Sequence, residues 1–288
     1  MDYLINLTIF FSIYAILGLS LNLIVGYTGL LSVSQAAFYG IGAYATAILT
    51  SFLGVNFFLS VITGMLAAGL AAFVIGIVLS QLSGDYYALG SLGFNVIVVS
   101  IFLNWEKLTN GALGISGIAR PIIFGLQFSN NALFLGLALL FLVIIYAACH
   151  FIVASSFGRV LKAIREDEEA IRVFGYNTVY YKLIIFIISA SMAAVAGSLF
   201  ASYLTFIEPT GFGTMESIFV LAIIILGGLA NLRGSILGAL FLITLPEILR
   251  FIGMPDEIAA QARQVVYGLI LILLMLYRPQ GLIGEYKL

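Results

Sequence analysis

Residues 3–84 read YLINLTIFFSIYAILGLSLNLIVGYTGLLSVSQAAFYGIGAYATAILTSFLGVNFFLSVITGMLAAGLAAFVIGIVLSQLSG, with Asp2 before them and Asp85 after. No Asp, Glu, Lys, Arg or His interrupts the stretch. At about 20 residues per crossing, a run this long must traverse a bilayer several times. Turn signals divide it. A first segment, 3–25, ends at Gly26-Tyr27-Thr28-Gly29; a second, 30–49, ends at Thr50-Ser51 and Gly54; a third, 57–79, ends at Ser83-Gly84-Asp85. The first is read as a retained helix, because no basic region or small-residue cleavage site accompanies it and apolar spans follow at once.

The rest of the chain keeps this character. Of 288 residues, 62% are hydrophobic and 9% charged, against about a quarter charged in an average soluble domain. Mean hydropathy is +1.18. Twelve Lys and Arg against thirteen Asp and Glu leave a net charge of −1, so there is no basic excess for nucleic acid. A single Cys, Cys149, excludes an intrachain disulfide, and a single His, His150, excludes a His-cluster metal site. Further apolar segments lie at 86–103, 132–149, 183–206, 218–229, 235–249 and 265–277. The short pair 218–229 and 235–249 reads as two tilted spans or as one broken, partly re-entrant element. The expectation is one all-α membrane domain over 1–288, a bundle of about nine (8–10) transmembrane helices.

Basic residues orient it. Arg159, Lys162, Arg165, Arg172 and Lys182 cluster around 154–177, which is therefore expected to be cytoplasmic. Counting spans outward places Arg233, Arg278 and Lys287 on that side and Lys107, Arg120, Arg250 and Arg263 outside. The N-terminus is then outside and the C-terminus cytoplasmic. Small residues recur every four positions at Gly64, Ala68, Ala72, Gly76 and Ser80, at Ser189, Ala193, Gly197 and Ala201, and at Ala190, Ala194, Ser198 and Ser202. Such rows let helix backbones approach closely in lipid and speak for a packed bundle.

The charged loop reads Gly158-Arg-Val-Leu-Lys-Ala-Ile-Arg-Glu-Asp-Glu-Glu-Ala-Ile-Arg-Val-Phe-Gly175. Val160, Leu161, Ile164, Ile171 and Phe174 fall near one helical face, and Asp167 and Glu168 interrupt that face midway. Two short helices with a bend are expected. By itself this amphipathic element is open to three uses: a solvated connector, a lipid-surface helix, or a helix docked in a groove of a soluble partner.

Glu169-Ala170-Ile171, three residues, then Gly175 resembles the EAA-xxx-G coupling loop of bacterial ABC-importer permeases. The segment Ser20 to Leu23, the run from Gly26 through Ser32, and Gln35-Ala36-Ala37-Phe38-Tyr39-Gly40-Ile41-Gly42-Ala43-Tyr44 are similar to the permease family of high-affinity branched-chain amino acid importers, the LivH/LivM family. Gly84-Asp85-Tyr86-Tyr87, Gly114-Ile115-Ser116-Gly117-Ile118, Leu232-Arg233-Gly234-Ser235 and Arg278-Pro279-Gln280-Gly281 follow in order, so the resemblance covers nearly the whole chain. Thr28-Gly29, Gln35 to Phe38 and the Gly-Ile-Ser-Gly segment favour the LivM branch. The third EAA position is Ile171, and Asn110-Gly111 runs into Ala112-Leu113, departures that imply an outer loop of different shape.

The resemblance implies alternating access driven by ATP hydrolysis in other subunits. The implied partners are a LivH-like permease, two P-loop ATPases that use ATP and Mg, and a periplasmic amino-acid-binding protein, all at the bacterial inner membrane. No Gly-Lys-Ser or Gly-Lys-Thr occurs, so a P-loop is absent from this chain, which is expected to be a transport subunit and not an enzyme, with no cofactor of its own. The resemblance assigns ATPase coupling to Arg159, Ile164, Arg165, Glu166, Glu169, Ala170, Ile171, Phe174 and Gly175. For the substrate pathway, polar residues at membrane depth stand out: Ser32, Ser34, Gln35 and Tyr39 in a glycine-rich second span, with Asn22 and Asn95. Interhelical hydrogen bonding is the structural alternative for each. No buried charge is expected to meet a substrate, since Asp85, Glu216 and Glu247 read as span ends; an ion-coupled transporter would want such groups inside. A rhomboid-like protease is disfavoured because Ser116 and His150, its only possible dyad, fall at opposite ends of a span.

Overall fold

The computed structural model describes residues 2–82, 84–123, 126–128, 130–251, 268, 269, 272 and 281–283. Its helices are α1 (Asp2–Thr28), α2 (Gln35–Ser51), α3 (Phe57–Leu79), α4 (Asp85–Asn104), α5 (Glu106–Thr109), α6 (Asn131–Ala154), α7 (Ser156–Glu166), α8 (Glu168–Val173), α9 (Thr178–Leu204), α10 (Thr214–Gly227) and α11 (Leu232–Phe251). Two-residue strands β1 (Ile115–Ser116) and β4 (Phe206–Ile207) pair antiparallel with Ile115 opposite Ile207; β2 (Ile122–Ile123) pairs with β3 (Leu126–Gln127).

Local chemistry sets several helix starts. Asn56, Asn130, Asp167 and Asn177 each accept a backbone N–H from the first turn of α3, α6, α8 and α9, satisfying donors that have no partner inside the helix. Among the described residues, five helices are long and apolar enough to cross a membrane: α1, α3, α4, α6 and α9. A sixth crossing is available if α10 and α11, bent by 118°, count as one. The expected nine spans are therefore not what the described residues show. Segment 265–277 lies outside them apart from 268, 269 and 272. The pair 218–229 and 235–249 forms a V whose arms touch through glycine backbone: a side chain at Gly227, Gly234 or Gly238 would collide with main-chain atoms of the other arm. The second span is also shorter than expected. Residues 29–34 are not helical, and α2 begins only at Gln35.

The small-residue rows are packing surfaces. Ser189, Ala193 and Ala201, and Ala190, Ala194, Ser198 and Ser202, are buried. The backbone of α2 at Gly42 lies against Ala194, and Gly197 lies against the Tyr39 carbonyl, so a Cβ at either glycine would overlap the other helix. Ser189 Oγ donates to the Ser20 carbonyl at 2.6 Å, fastening α9 to α1. Gly64 of α3 packs where α2 and α9 meet, against Gly42 of α2 and Ser198 of α9. Helices α1 and α9 thus form the centre, with α2 against α9. The outward faces of α3, α4 and α6 carry exposed Leu66, Leu70, Val74, Ile97, Leu140 and Val143, an apolar belt suited to lipid.

Candidate translocation path and coupling surface

Non-helical backbone at membrane depth survives only where protein or a cavity satisfies its polar groups. Around 29–34 that is done by side chains from distant helices. Val33 N donates to Ser91 Oγ of α4 at 2.9 Å, and Ala36 N donates to Ser217 Oγ of α10 at 2.9 Å. Gln35 Nε2 donates to Ser20 Oγ of α1 at 2.6 Å, and Ser32 and Ser34 share a hydrogen bond of 3.0 Å. The N-terminus of α2 is thus held inside the bundle, capped by a serine of another helix.

Sequence-selected residues gather here. Ser32, Ser34, Gln35, Tyr39 and Asn95 are all buried. Asn95 Nδ2 is 3.5 Å from Thr214 Oγ1 at the start of α10. Gln35 Oε1, Asn95 Oδ1 and the Tyr39 and Tyr44 hydroxyls are buried without a hydrogen-bond partner. Toward the β1–β4 end of the bundle the layer is covered by aromatic rings: Phe212 meets Tyr39, Tyr44, Phe102 and Phe200 edge-on, and Tyr44 stacks on Phe102 at 4.2 Å.

Asn22 stands apart. Its Nδ2 donates to the Asn231 carbonyl at 3.0 Å and to Ser235 Oγ at 2.7 Å, while its Oδ1 accepts from Ala230 N at 3.0 Å. These bonds pin the turn between α10 and α11, where Ala230 holds a left-handed φ of 58°. That commits Asn22 to structure, the alternative held open for it from sequence. Glu216 was missed. Its position looked like a span end, yet Tyr14, in the middle of α1, hydrogen-bonds it, and its Oε1 is buried. The expectation that Glu216 stays at a span end is corrected: the residue is half-buried and brings a carboxyl oxygen into the interior.

The charged loop is two helices with the bend at Asp167, whose carboxylate accepts from Ala170 N at 3.0 Å. It is tied to the bundle in two places. Arg165 Nη1 donates to the Gly26 carbonyl and, at 3.5 Å, to that of Val25, while Lys162 sits over the Tyr27 ring at 5.5 Å. Cations at the carbonyl end of α1 are favoured by its dipole. The second tie is Glu168. It bridges Lys182 Nζ at 2.5 Å and Arg172 Nη2 at 2.6 Å and accepts from Thr178 Oγ1 at 2.8 Å. Lys182 is buried at the base of α9. Burial alone would raise the Glu168 carboxyl; the hydrogen bonds from Lys182 and Thr178 and the charges of Lys182 and Arg172 outweigh it and hold the group below the ordinary glutamate value.

The coupling candidates therefore divide. Ile164 is buried and Arg165 turns inward, so neither offers an outer contact. Arg159, Glu166, Glu169, Phe174 and Gly175 are exposed; Ala170 and Ile171 are half-buried. Phe174 is 78% exposed and its neighbour Val173 87%. Gly175 has φ +89°, a conformation that resists a side chain. Sequence patterning did not select Val173, Glu168, Thr178 or Lys182 for coupling, although Glu168 marked the bend and Lys182 the basic cluster. A basic residue one position ahead of an apolar span was the available signal for the last. His150 stacks on Tyr146 near the loop end of α6, and Ser116 lies in β1 by the far end of α9, so no dyad forms.

The chain matches the family described as branched-chain amino acid transport system / permease component over residues 3–275. It is 38% identical to the high-affinity branched-chain amino acid transport system permease protein LivM of Escherichia coli K12, over 94% of this chain and 68% of that protein. It is 27% identical to LivH of the same organism, over 95% of this chain and 92% of that one. The probable LivM of Methanocaldococcus jannaschii is 25% identical over 99% of this chain and 94% of its own. No solved structure matches the chain. A match across nearly the full length, with the strongest of these identities on the LivM side, places this chain in the permease-component family of branched-chain amino acid transport systems.

Proposed function

We propose that this chain is a membrane-spanning subunit of an ATP-driven importer, moving branched-chain amino acids or related small amino acids and amides across the bacterial inner membrane by alternating access. Its partners are a LivH-like permease subunit, two P-loop ATPases and a periplasmic amino-acid-binding protein. The N-terminus is outside and the C-terminus cytoplasmic. The observation that carries this is the α7–α8 loop. It presents Val173 and Phe174 to solvent while Arg165 and Glu168 fasten it to α1 and α9, the two central helices. A chain without a P-loop must receive its energy through such a contact. The described C-terminal residues support the orientation: Leu282 and Ile283 N–H groups donate to the Leu226 and Gly227 carbonyls, at the end of the bundle that holds the loop.

The substrate path is assigned to the polar layer of Ser32, Ser34, Gln35, Tyr39 and Asn95. The test is reconstitution in vesicles with the two ATPases and the binding protein. ATP-dependent leucine accumulation is expected, and Glu169→Cys should label only from the ATPase side. Accumulation that ignores ATP, or labelling from the opposite side, would refute the assignment.

A further inference from the structure

We propose that Glu216 is a cation-recognition residue beside the middle of α1, accepting the α-ammonium group of an amino acid as it passes. The inference rests on the transport function proposed above and deepens it. Glu216 stands in the first turn of α10, where Phe219 packs edge-on against Tyr14 at 5.3 Å. Tyr14 is at the middle of α1, a helix of 27 residues and therefore about 40 Å long. Glu216 thus lies beside the middle of α1, not at the level of its ends.

A carboxylate at that depth is costly unless a positive partner or hydrogen bonds replace water. Tyr14 supplies one hydrogen bond, Glu216 Oε1 has none, and among the described residues no basic side chain pairs with it. Its surroundings hold further unmatched polar atoms. The neighbouring Tyr39 hydroxyl has no partner, and Asn95, fully buried and reaching Thr214 on the same turn of α10, leaves Oδ1 unmatched. A group that brings several N–H donors and a positive charge complements this set, and an α-ammonium is such a group. On the other side of Glu216, Ser217 holds the N-terminus of α2, a helix end whose dipole favours a carboxylate.

The test uses the complete reconstituted complex with labelled leucine. Wild-type uptake is measured first; its absence refutes the transport function and not the site. Glu216→Gln keeps the shape and the Tyr14 contact but removes the charge. It should lower uptake about tenfold or more, the loss expected from one charge-assisted hydrogen bond, while ATP hydrolysis and complex assembly stay within about twofold of wild type. Glu216→Asp should recover part of the uptake. The proposal is overturned if Glu216→Gln transports at the wild-type rate. It is equally overturned if uptake and hydrolysis fall in proportion, or if Glu216→Asp transports no better than Glu216→Gln.

Discussion

Removal of Glu168 should detach the coupling loop from α9. Lys182 Nζ lies 2.5 Å from Glu168, and the Lys182 side chain is 2% exposed against 22% for Glu168. Truncation to Ala leaves a buried ammonium without its counter-charge, and breaking a buried pair from one side costs about 3–5 kcal/mol. Water reaches the partly open Glu168 side, so the lower end, about 3 kcal/mol, is appropriate. That is roughly two orders of magnitude in the equilibrium between a docked and a detached loop. The assay is hydrogen exchange across 168–178 in the assembled complex, together with the ratio of leucine uptake to ATP hydrolysis. Glu168→Ala should lose amide protection in α8 and spend ATP with little uptake. The double variant Glu168→Ala, Lys182→Met removes both charges, and the loss of a complete pair is often nearly neutral; protection and coupling should largely return. Wild-type protection in the single variant, or a double variant as damaged as the single, would refute the electrostatic clamp.

Other outcomes follow from the same geometry. Phe174→Ala should weaken docking of the ATPase more than tenfold, since burying that exposed ring contributes about 1.5–3 kcal/mol; Gly175→Pro, at φ +89°, should uncouple as well, read as uptake and substrate-stimulated hydrolysis falling together. Because the Glu168 carboxyl is held below its unfolded value, the clamp contributes fully above the ordinary glutamate range and is lost as pH falls through the depressed value; loop protection should be flat near neutrality and drop in acid, and Glu168→Ala should lack that acid limb. Gly197→Ala should force α9 from the Tyr39 carbonyl of α2 and destabilise the bundle by about 1–3 kcal/mol or more, seen as a lower melting temperature in detergent.

The uncharged run from 3 to 84 was enough to place this chain in a membrane, and the third span has the same limits in sequence and structure, Phe57–Leu79. The bend at Asp167, the glycine that closes the loop at Gly175 and the small-residue rows were also legible. Each depends on neighbours in the chain: apolar length against lipid, a capping carboxylate, a turn that excludes Cβ. What tertiary structure alone decided are the meetings of distant polar groups. Helix α2 starts at Gln35, not at 30, because Ser91 and Ser217 hold the backbone before and after it. Asn22 was drawn from the pathway by Ala230 and Ser235, more than 200 positions away. Arg165, read as part of an outer rim, turned inward to the carbonyls ending α1. Glu216, next to a loop in sequence, was carried into the bundle because α10 starts beside the middle of α1. Hydropathy prices each residue against lipid independently, so it is written along the chain; the partner of a buried hydrogen-bonding group is chosen by which helices come together, and that is settled only when the bundle packs.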